Sequence, residues 1–441
     1  MESFNIWTTG CQMNKADSER LSSGLEQLGL RHINDTKSAD IVIANTCVVR
    51  QSSEDKASGF IDSFKSYKRA NPEKLFAVMG CMVGPDNKNL KERFPHVDLF
   101  MRPQQFEPLI ENVANRLNMD IESCIKNLTP VRPQISAYVP IIHGCDKFCS
   151  FCIIPYRRGR EKSRTIEELT RECQLLVDRG VREITLLGQN VDSYGHDFAQ
   201  KKSLADLLYA INEIPNLLRI RFLTSHPNDM SPDIIEAVHT LPKVCEHFNL
   251  PFQAGDDRIL EIMRRGYTND QYRRLVQSIR NQIPNVSITT DLIVGFCSET
   301  DAEFTKSYEM VQDLNFDKVH VSPYSTRKGT IADRKLEDNV PQVEKKERVR
   351  KIEELQKDVA IRNNQRLLGT TVEVLVETKN KGKWQGRTRT DKLVFFEHHD
   401  DFTGQLVNVY ISSTGPWSLK GELSNTSNTT ASETTFPIVL T

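Results

Sequence analysis

From Ala137 to Tyr324 six short apolar runs recur: "AYVPII", "EITLLG", "LRIRFL", "HFNLPF", "VSITTDLIVGF" and "KVHVSPY". Amphipathic helical stretches separate most of them, among them Ile166 to Arg179, Asp257 to Arg265, Asp270 to Asn281 and Ala302 to Leu314. Strands joined through helices pair in parallel with right-handed crossovers. Six such repeats predict an incomplete (β/α)6 barrel with its chemistry at the carboxyl ends of the strands. The loop after the first strand holds Cys145, Cys149 and Cys152 in a C-x-x-x-C-x-x-C run.

Upstream, residues 1–117 read as a smaller α/β domain. "FNIWTT", "DIVIANT" and "LFAVMG" are predicted strands, and Asn14 to Leu30 and Ser53 to Arg69 are predicted helices, giving an N-terminal parallel βαβαβ sheet. Cys11, Cys47 and Cys81 each fall just past one of these strands, 36 and 34 residues apart. Parallel strands bring their carboxyl ends to one edge, so three thiols distant in sequence gather there. The polar stretch "NLTPVRPQ" leads into the central domain, expected over 131–362.

The segment 341–366 is densely charged, with several opposite-sign i,i+4 pairs, and reads as a solvated helix. Beyond it "TVEVLVE", "DKLVFFE" and "QLVNVYI" predict a small β-barrel over 364–425. The Ser-, Thr- and Asn-rich residues 426–441 are expected to be a disordered tail. A chain of 441 residues is too long for one core, so three domains are expected. A formal net charge of −1 excludes polyanion binding over the whole surface, leaving local patches. The N-terminus lacks a signal-peptide pattern and no run approaches bilayer length, so the expectation is a cytoplasmic protein without a membrane partner. In a reducing compartment ten cysteines point to metal binding or catalysis.

Three thiolates hold three irons of a 4Fe-4S cube and leave the fourth open. An open iron is what binds the amino and carboxylate groups of S-adenosylmethionine and passes an electron to its sulfonium, yielding methionine and a 5′-deoxyadenosyl radical. A structural zinc site is the competing reading. It needs a fourth ligand such as His143, and no second C-x-x-C pair follows.

At this point the chain resembles the radical S-adenosylmethionine methylthiotransferases, from Phe4 to about Leu423. The likeness lies in "GCQMNKADSE", "NTCVVR", "GC" at Cys81, "GCDKFCSFCIIPYRRGRE", "LLGQNVDSYG", "LTSHP", "LPFQAGDDRILEIMRRGYT" and "DLIVGF". Among them "GCQMN", "GQNVDSYG" and "PYRRGRE" are most similar to the branch acting on N6-dimethylallyladenosine in tRNA. The resemblance implies that Cys11, Cys47 and Cys81 hold a second, auxiliary 4Fe-4S cluster. It implies S-adenosylmethionine contacts at Gly188, Gln189 and Asn190 after the second barrel strand, at Gln253 after the fourth and at Gly295 after the fifth. The resemblance implies no particular catalytic side chain. Cys297 departs from the pattern, standing where the family usually has Pro and Gly. Cys124, Cys173 and Cys245 read as small packing residues.

The terminal barrel resembles the TRAM domain, an OB-like RNA-binding module. In "KNKGKWQGRTRTDK", Lys379, Lys381, Lys383, Arg387, Arg389 and Lys392 surround Trp384, which predicts phosphate neutralisation with base stacking on the indole. A second basic run, "YRRGREKSR" from Tyr156, either meets phosphates or pairs with carboxylates at a helix start. The implied activity is methylthiolation at C2 of N6-(dimethylallyl)adenosine beside the anticodon. Its partners are a tRNA anticodon stem-loop carrying isopentenyladenosine and a low-potential donor such as flavodoxin or ferredoxin, with the enzyme a monomer. The alternatives are a methylthiotransferase for a ribosomal protein or for threonylcarbamoyl-adenosine, and a non-catalytic zinc-dependent RNA-binding protein.

Overall fold

The computed structural model describes residues 1–119, 129–130 and 133–424, so Cys124 and the tail 426–441 lie outside the described residues. The chain divides into two compact units, Met1–Ala360 and Ile361–Thr441.

The first unit opens with β1 (Ser3–Thr8), α1 (Gln12–Gln27), β2 (Arg31–His32), β3 (Ile41–Thr46), α2 (Gln51–Ser63), α3 (Lys65–Ala70), β4 (Leu75–Gly80), α4 (Lys88–Arg93), β5 (Leu99–Met101) and α5 (Glu107–Leu117). The sheet is parallel throughout, in the order β2-β1-β3-β4-β5. Central strands β3 and β4 are buried at every residue because helices cover both faces. Leu21 and Leu25 of α1 and Leu109 and Val113 of α5 pack on one face, and Ala57 and Ile61 of α2 on the other. The outer strands β2 and β5, of two and three residues, are too short to show an alternating pattern in sequence. The predicted helix over 53–69 is two helices broken at Phe64.

Next come β6 (Ser136–Pro140), β7 (Ile142–His143), α6 (Ile154–Arg158), β8 (Lys162–Ser163), α7 (Ile166–Asp178), β9 (Glu183–Leu187), α8 (Leu204–Asn212), β10 (Arg219–Leu223), α9 (Pro232–Thr240) and β11 (His247–Asn249). They are followed by α10 (Asp257–Ile262), α11 (Asn269–Gln282), β12 (Ser287–Val294), α12 (Asp301–Leu314), β13 (Lys318–Pro323), α13 (Ile331–Lys335) and α14 (Gln342–Gln365). Parallel ladders join β6-β9-β10 and β11-β12-β13, and an Ile220–Val244 bridge links the two halves. No ladder between β6 and β13 occurs among the described residues, so six strands form an open barrel, as predicted. Capping boxes at Ser203/Asp206, Thr268/Gln271 and Thr300/Glu303 satisfy the first N–H groups of α8, α11 and α12 and fix where each helix starts.

Helix α14 is not simply solvated. Lys345, Arg348, Ile352, Gln356 and Val359 recur every three or four residues and all are buried. The cations are tolerated because each has a partner. Arg348 meets Glu299 and Asp301, and Lys345 bonds the Tyr324 carbonyl and Asp338.

The second unit is a closed barrel of β14 (Thr371–Asn380), β15 (Lys383–Arg387), β16 (Leu393–Glu397), β17 (Leu406–Thr414) and β18 (Leu419–Leu423), in the order β14-β15-β16-β18-β17. It corrects one expectation. Trp384 is only 4 % exposed and packs with Val374, Val394, Phe396 and Val409 in the barrel core, so its indole is not a base-stacking surface. Period-two alternation along β15 turns Trp384 inward while Lys383 points to solvent.

Candidate active site

The Cys145–Cys152 loop is pinned from several sides. Ser150 donates from Oγ to the Ile262 carbonyl at 2.7 Å and from its N–H to the Met263 carbonyl, and its own carbonyl accepts from the Ala332 N–H. Lys147 pairs with Asp229 at 2.7 Å, and the same carboxylate accepts from Asn190 Nδ2. Asp229 thereby ties the cysteine loop to the segment after β9. Arg265, fully buried, donates from Nη1 to Cys149 Sγ at 3.3 Å and from Nη2 to the Pro251 carbonyl. Burial pushes the Cys145 thiol up to about 12 and raises Cys152 as well. A metal bound by these thiols would displace their protons, so loading such a site would be coupled to proton release.

The second triad sits at the carboxyl edge of the first sheet. Cys11 caps α1, and Cys47 and Cys81 follow β3 and β4 directly. Burial and then the neighbouring Cys81 and Cys11 sulfurs push Cys47 up to about 12, so the three sulfurs share one electrostatic environment. Among the described residues no three Cys, His, Asp or Glu side chains close on one point as the ligands of a single ion would. A cube spreads three thiolates over three separate irons, and three mutually interacting thiols, Cys47 and Cys81 buried and Cys11 exposed, suit such a spread.

The two triads adjoin through shared packing. Cys81 and Cys145 belong to the same apolar cluster, with Val48, Met82, Ile153 and Ile154, and Cys152 packs against it. Met13 and Ala16 of α1 pack on Leu187 and Leu223, the last residues of β9 and β10. Arg158, six residues after Cys152, reaches across to α1, where Nη2 donates to Asp17 Oδ2 at 3.0 Å and Asn14 Oδ1 at 3.1 Å. Burial opposes its charge, yet Asp17 and the Cys81 and Cys11 sulfurs hold it protonated.

The other predicted site residues line the barrel's carboxyl end. Asn190 Oδ1 and Gln253 Oε1 are buried without a hydrogen-bond partner, as is His226 Nε2. Burial first, then Arg265 and Lys147, push His226 down to about 2, leaving a neutral imidazole. Gly188 closely approaches Ile142, and Gln189 is half-buried. A Cβ at Gly295 would lie 2.3 Å from Lys345 Cγ. Cys297 is buried in the loop that follows. Sequence reasoning gave no role to Arg265, Asp229, Lys345 or His226. Arg265 and His226 lie inside the quoted motifs, which was the available signal.

Of the basic residues on the small barrel, Lys379 lies over the Trp384 ring and Lys381 is exposed at the β14–β15 turn. Lys383 pairs with Glu397 and Arg387 with Asp391, each at 3.0 Å, while Arg389 and Lys392 are half-buried. In the second basic run, Arg164 pairs with Glu168 in the first turn of α7 and Arg160 with Asp146, so carboxylates take most of it. No helix among the described residues is long and apolar enough to cross a membrane.

An open (β/α)6 barrel with three cysteines in the loop after its first strand, packed beside a parallel sheet whose carboxyl edge carries three more, is the architecture of a radical S-adenosylmethionine enzyme. Comparison with known proteins agrees. Residues 139–311 match the Radical SAM superfamily, residues 3–102 the uncharacterized protein family UPF0004, and residues 365–424 the TRAM domain. The tRNA-2-methylthio-N(6)-dimethylallyladenosine synthase of Dehalococcoides mccartyi (strain CBDB1) is 47 % identical over 96 % of this chain and 99 % of its own length. The synthase of the same name from Roseiflexus sp. (strain RS-1) is 46 % identical over 97 % and 91 %. In fold the chain is similar to the radical S-adenosylmethionine methyltransferase TsrM from Kitasatospora setae, with a TM-score of 0.54 and 14 % identity over 73 % of this chain and 72 % of that one. The chain belongs to the tRNA-2-methylthio-N(6)-dimethylallyladenosine synthase family, whose cofactors are 4Fe-4S clusters and S-adenosylmethionine.

Proposed function

We propose that this enzyme replaces the C2 hydrogen of N6-(dimethylallyl)adenosine, beside the anticodon of tRNA, with a methylthio group. Similarity along the whole chain to synthases of that name supports the reading. The observation that carries it is Arg158, which leaves the loop of one cysteine triad and lies beside two sulfurs of the other. Two centres in one chamber are what the reaction needs, because a reactive carbon must meet its target at near-contact distance.

Cys145, Cys149 and Cys152 hold the radical cluster and Cys11, Cys47 and Cys81 the auxiliary one. When bound, these groups and S-adenosylmethionine supply a low-potential electron from a donor such as flavodoxin or ferredoxin, hydrogen abstraction and an activated methyl group. Asp229 fixes the cysteine loop through Lys147 and orients Asn190. The unpaired oxygens of Asn190 and Gln253 accept hydrogen bonds from S-adenosylmethionine, and the backbone at Gly188, Gln189 and Gly295 borders it. Met13 and Ala16 of α1 cover the ends of β9 and β10, where the barrel's chemistry sits. Lys379, Lys381 and Lys383, on the β14–β15 hairpin, meet RNA phosphates. The adenine itself leaves its stack to expose C2.

The test is an anaerobic assay with isopentenylated anticodon stem-loop, reductant and S-adenosylmethionine, read by mass spectrometry. The expected product carries methylthio in place of one hydrogen on that adenosine. An unchanged nucleoside, from protein with both clusters loaded, would overturn the assignment.

A further inference from the structure

Among the described residues no ladder closes the barrel between its first strand, β6, and its sixth, β13. The cysteine loop follows β6 and meets α13, which follows β13: the Ala332 N–H bonds the Ser150 carbonyl at 2.8 Å, between Cys149 and Cys152. Asp333, Arg334 and Lys335 of α13 are exposed. Arg334 reaches back to the loop, donating from Nη2 to the Tyr156 hydroxyl at 3.2 Å, with its guanidinium 5.6 Å from the centre of that ring. Tyr156 meets Phe148 edge to face at 6.0 Å, and Arg160 lies over Phe148 at 5.3 Å. Two half-buried rings thus stand in a row between two exposed cations. Phe148 directly precedes Cys149, and Tyr156 follows Cys152 by four residues, so the row lies against the loop that carries the radical centre.

We infer that this face is the docking surface for an acidic, low-potential electron-transfer protein, a flavodoxin or a ferredoxin. The inference rests on the reading above that Cys145, Cys149 and Cys152 hold the radical cluster. The electron is the one reactant that need not enter the barrel, and it needs a short path to these cysteines from outside. In the exchange the donor loses one electron and the centre gains it, and no bond forms between them. Charge selects the partner. Residues 328–335 carry three cations, Lys328, Arg334 and Lys335, against one carboxylate, Asp333, which accepts from the Gly329 N–H. Arg160 is shared with Asp146, whereas Arg334 and Lys335 pair with no carboxylate among the described residues. Electron-transfer encounters bury little surface and are steered by charge, so a few cations around a fixed aromatic row suffice.

The experiment uses the full-length, anaerobically reconstituted enzyme and follows 5′-deoxyadenosine formation from S-adenosylmethionine, driven by reduced flavodoxin, by reduced ferredoxin or by dithionite. In Arg334→Glu, Lys335→Glu the rate with either protein donor, below saturation, should fall about tenfold or more and lose much of its salt dependence. The dithionite rate, which needs no docking, should stay as in the unaltered enzyme. Unchanged protein-driven rates overturn the inference, as does an unaltered enzyme that dithionite drives and neither protein does. A variant that binds the anticodon stem-loop less tightly, with protein-driven rates unchanged, assigns the face to RNA and also overturns it. If the dithionite rate falls too, Lys335→Glu alone decides, because it leaves the Arg334 contact with Tyr156 in place: a slower protein-driven rate supports docking and an equal one refutes it. Failure of the underlying reading looks different, since dithionite would then yield no 5′-deoxyadenosine from the unaltered enzyme.

Discussion

Arg265 Nη1 stands 3.3 Å from Cys149 Sγ, with the guanidinium otherwise bound to the Tyr267 hydroxyl and the Pro251 carbonyl. A fixed positive charge beside one thiolate stabilises the reduced, more negative state of whatever that thiolate holds. Arg265→Gln is expected to lower the midpoint potential of the radical cluster and to slow reductive cleavage of S-adenosylmethionine about tenfold or more. Redox titration followed by electron paramagnetic resonance checks this, and an unaltered potential would count against it.

Gly295 and Lys345 make a second tight relationship. The glycine has φ +67°, and a Cβ there would meet Lys345 Cγ at 2.3 Å and Cδ at 3.1 Å. Lys345 cannot swing away, since it is buried and bonded to the Tyr324 carbonyl and Asp338. Gly295→Ala should destabilise the first unit by about 2–4 kcal/mol through backbone strain and overpacking. Denaturant unfolding measures it. The doubly substituted Gly295→Ala, Lys345→Ala protein should recover no more than the steric share.

These contacts show what the sequence could and could not reveal. The strand–helix alternation and both cysteine triads were legible because period, spacing and residue type carry them directly. The buried face of α14 was not, since Lys345 and Arg348 are among its inward positions, and hydropathy scores them as solvated. Trp384 was misplaced for a related reason. The basic residues around it suggested a surface, whereas the alternation within the five-residue strand β15 decides which way the indole points. Arg158 and Arg265 were visible as letters in motifs, but their partners come from Asp17 and Cys149, 141 and 116 residues away, and only folding brings them together.

Trp384→Ala should therefore act on the fold of the small barrel. Removing an indole from among Val374, Val394, Phe396 and Val409 leaves a cavity and costs about 3–5 kcal/mol. Thermal unfolding should show the second unit melting earlier, with RNA affinity lost only in proportion to the unfolded fraction. Lys381→Ala, at the exposed turn, should weaken RNA binding and reduce its salt dependence without moving the melt.

Asp192 gives a pH dependence. Burial outweighs its bonds from the Ser225 hydroxyl and the His226 N–H and pushes the carboxyl up to about 7. The native chain keeps this proton after the unfolded chain has released it near the ordinary carboxylate range. The contribution is full below about pH 4 and is lost as pH rises to about 7, an effect on the order of 4 kcal/mol. Asp192→Asn should flatten the stability profile across that window and leave the variant relatively more stable at neutral pH. Denaturant midpoints measured from pH 4 to pH 8 on both proteins decide it, and parallel profiles would refute the assignment.

Gly10 controls whether the auxiliary triad can form. It precedes Cys11 with φ +112°, and a Cβ there would lie 2.4 Å from Cys47 Cβ and 3.0 Å from Cys47 Sγ. Cys47 is buried at the end of a strand covered on both faces, so the collision is relieved only by displacing its sulfur from Cys11 and Cys81. Gly10→Ala should therefore lower the iron content from about eight to about four per chain. The radical centre, held by residues of the barrel loop, should stay loaded and continue to cleave S-adenosylmethionine. Methylthio transfer to the stem-loop should cease while 5′-deoxyadenosine still accumulates. Iron analysis with product mass spectrometry tests the uncoupling, and a variant that keeps about eight irons would show that the two side chains have more room than this packing allows.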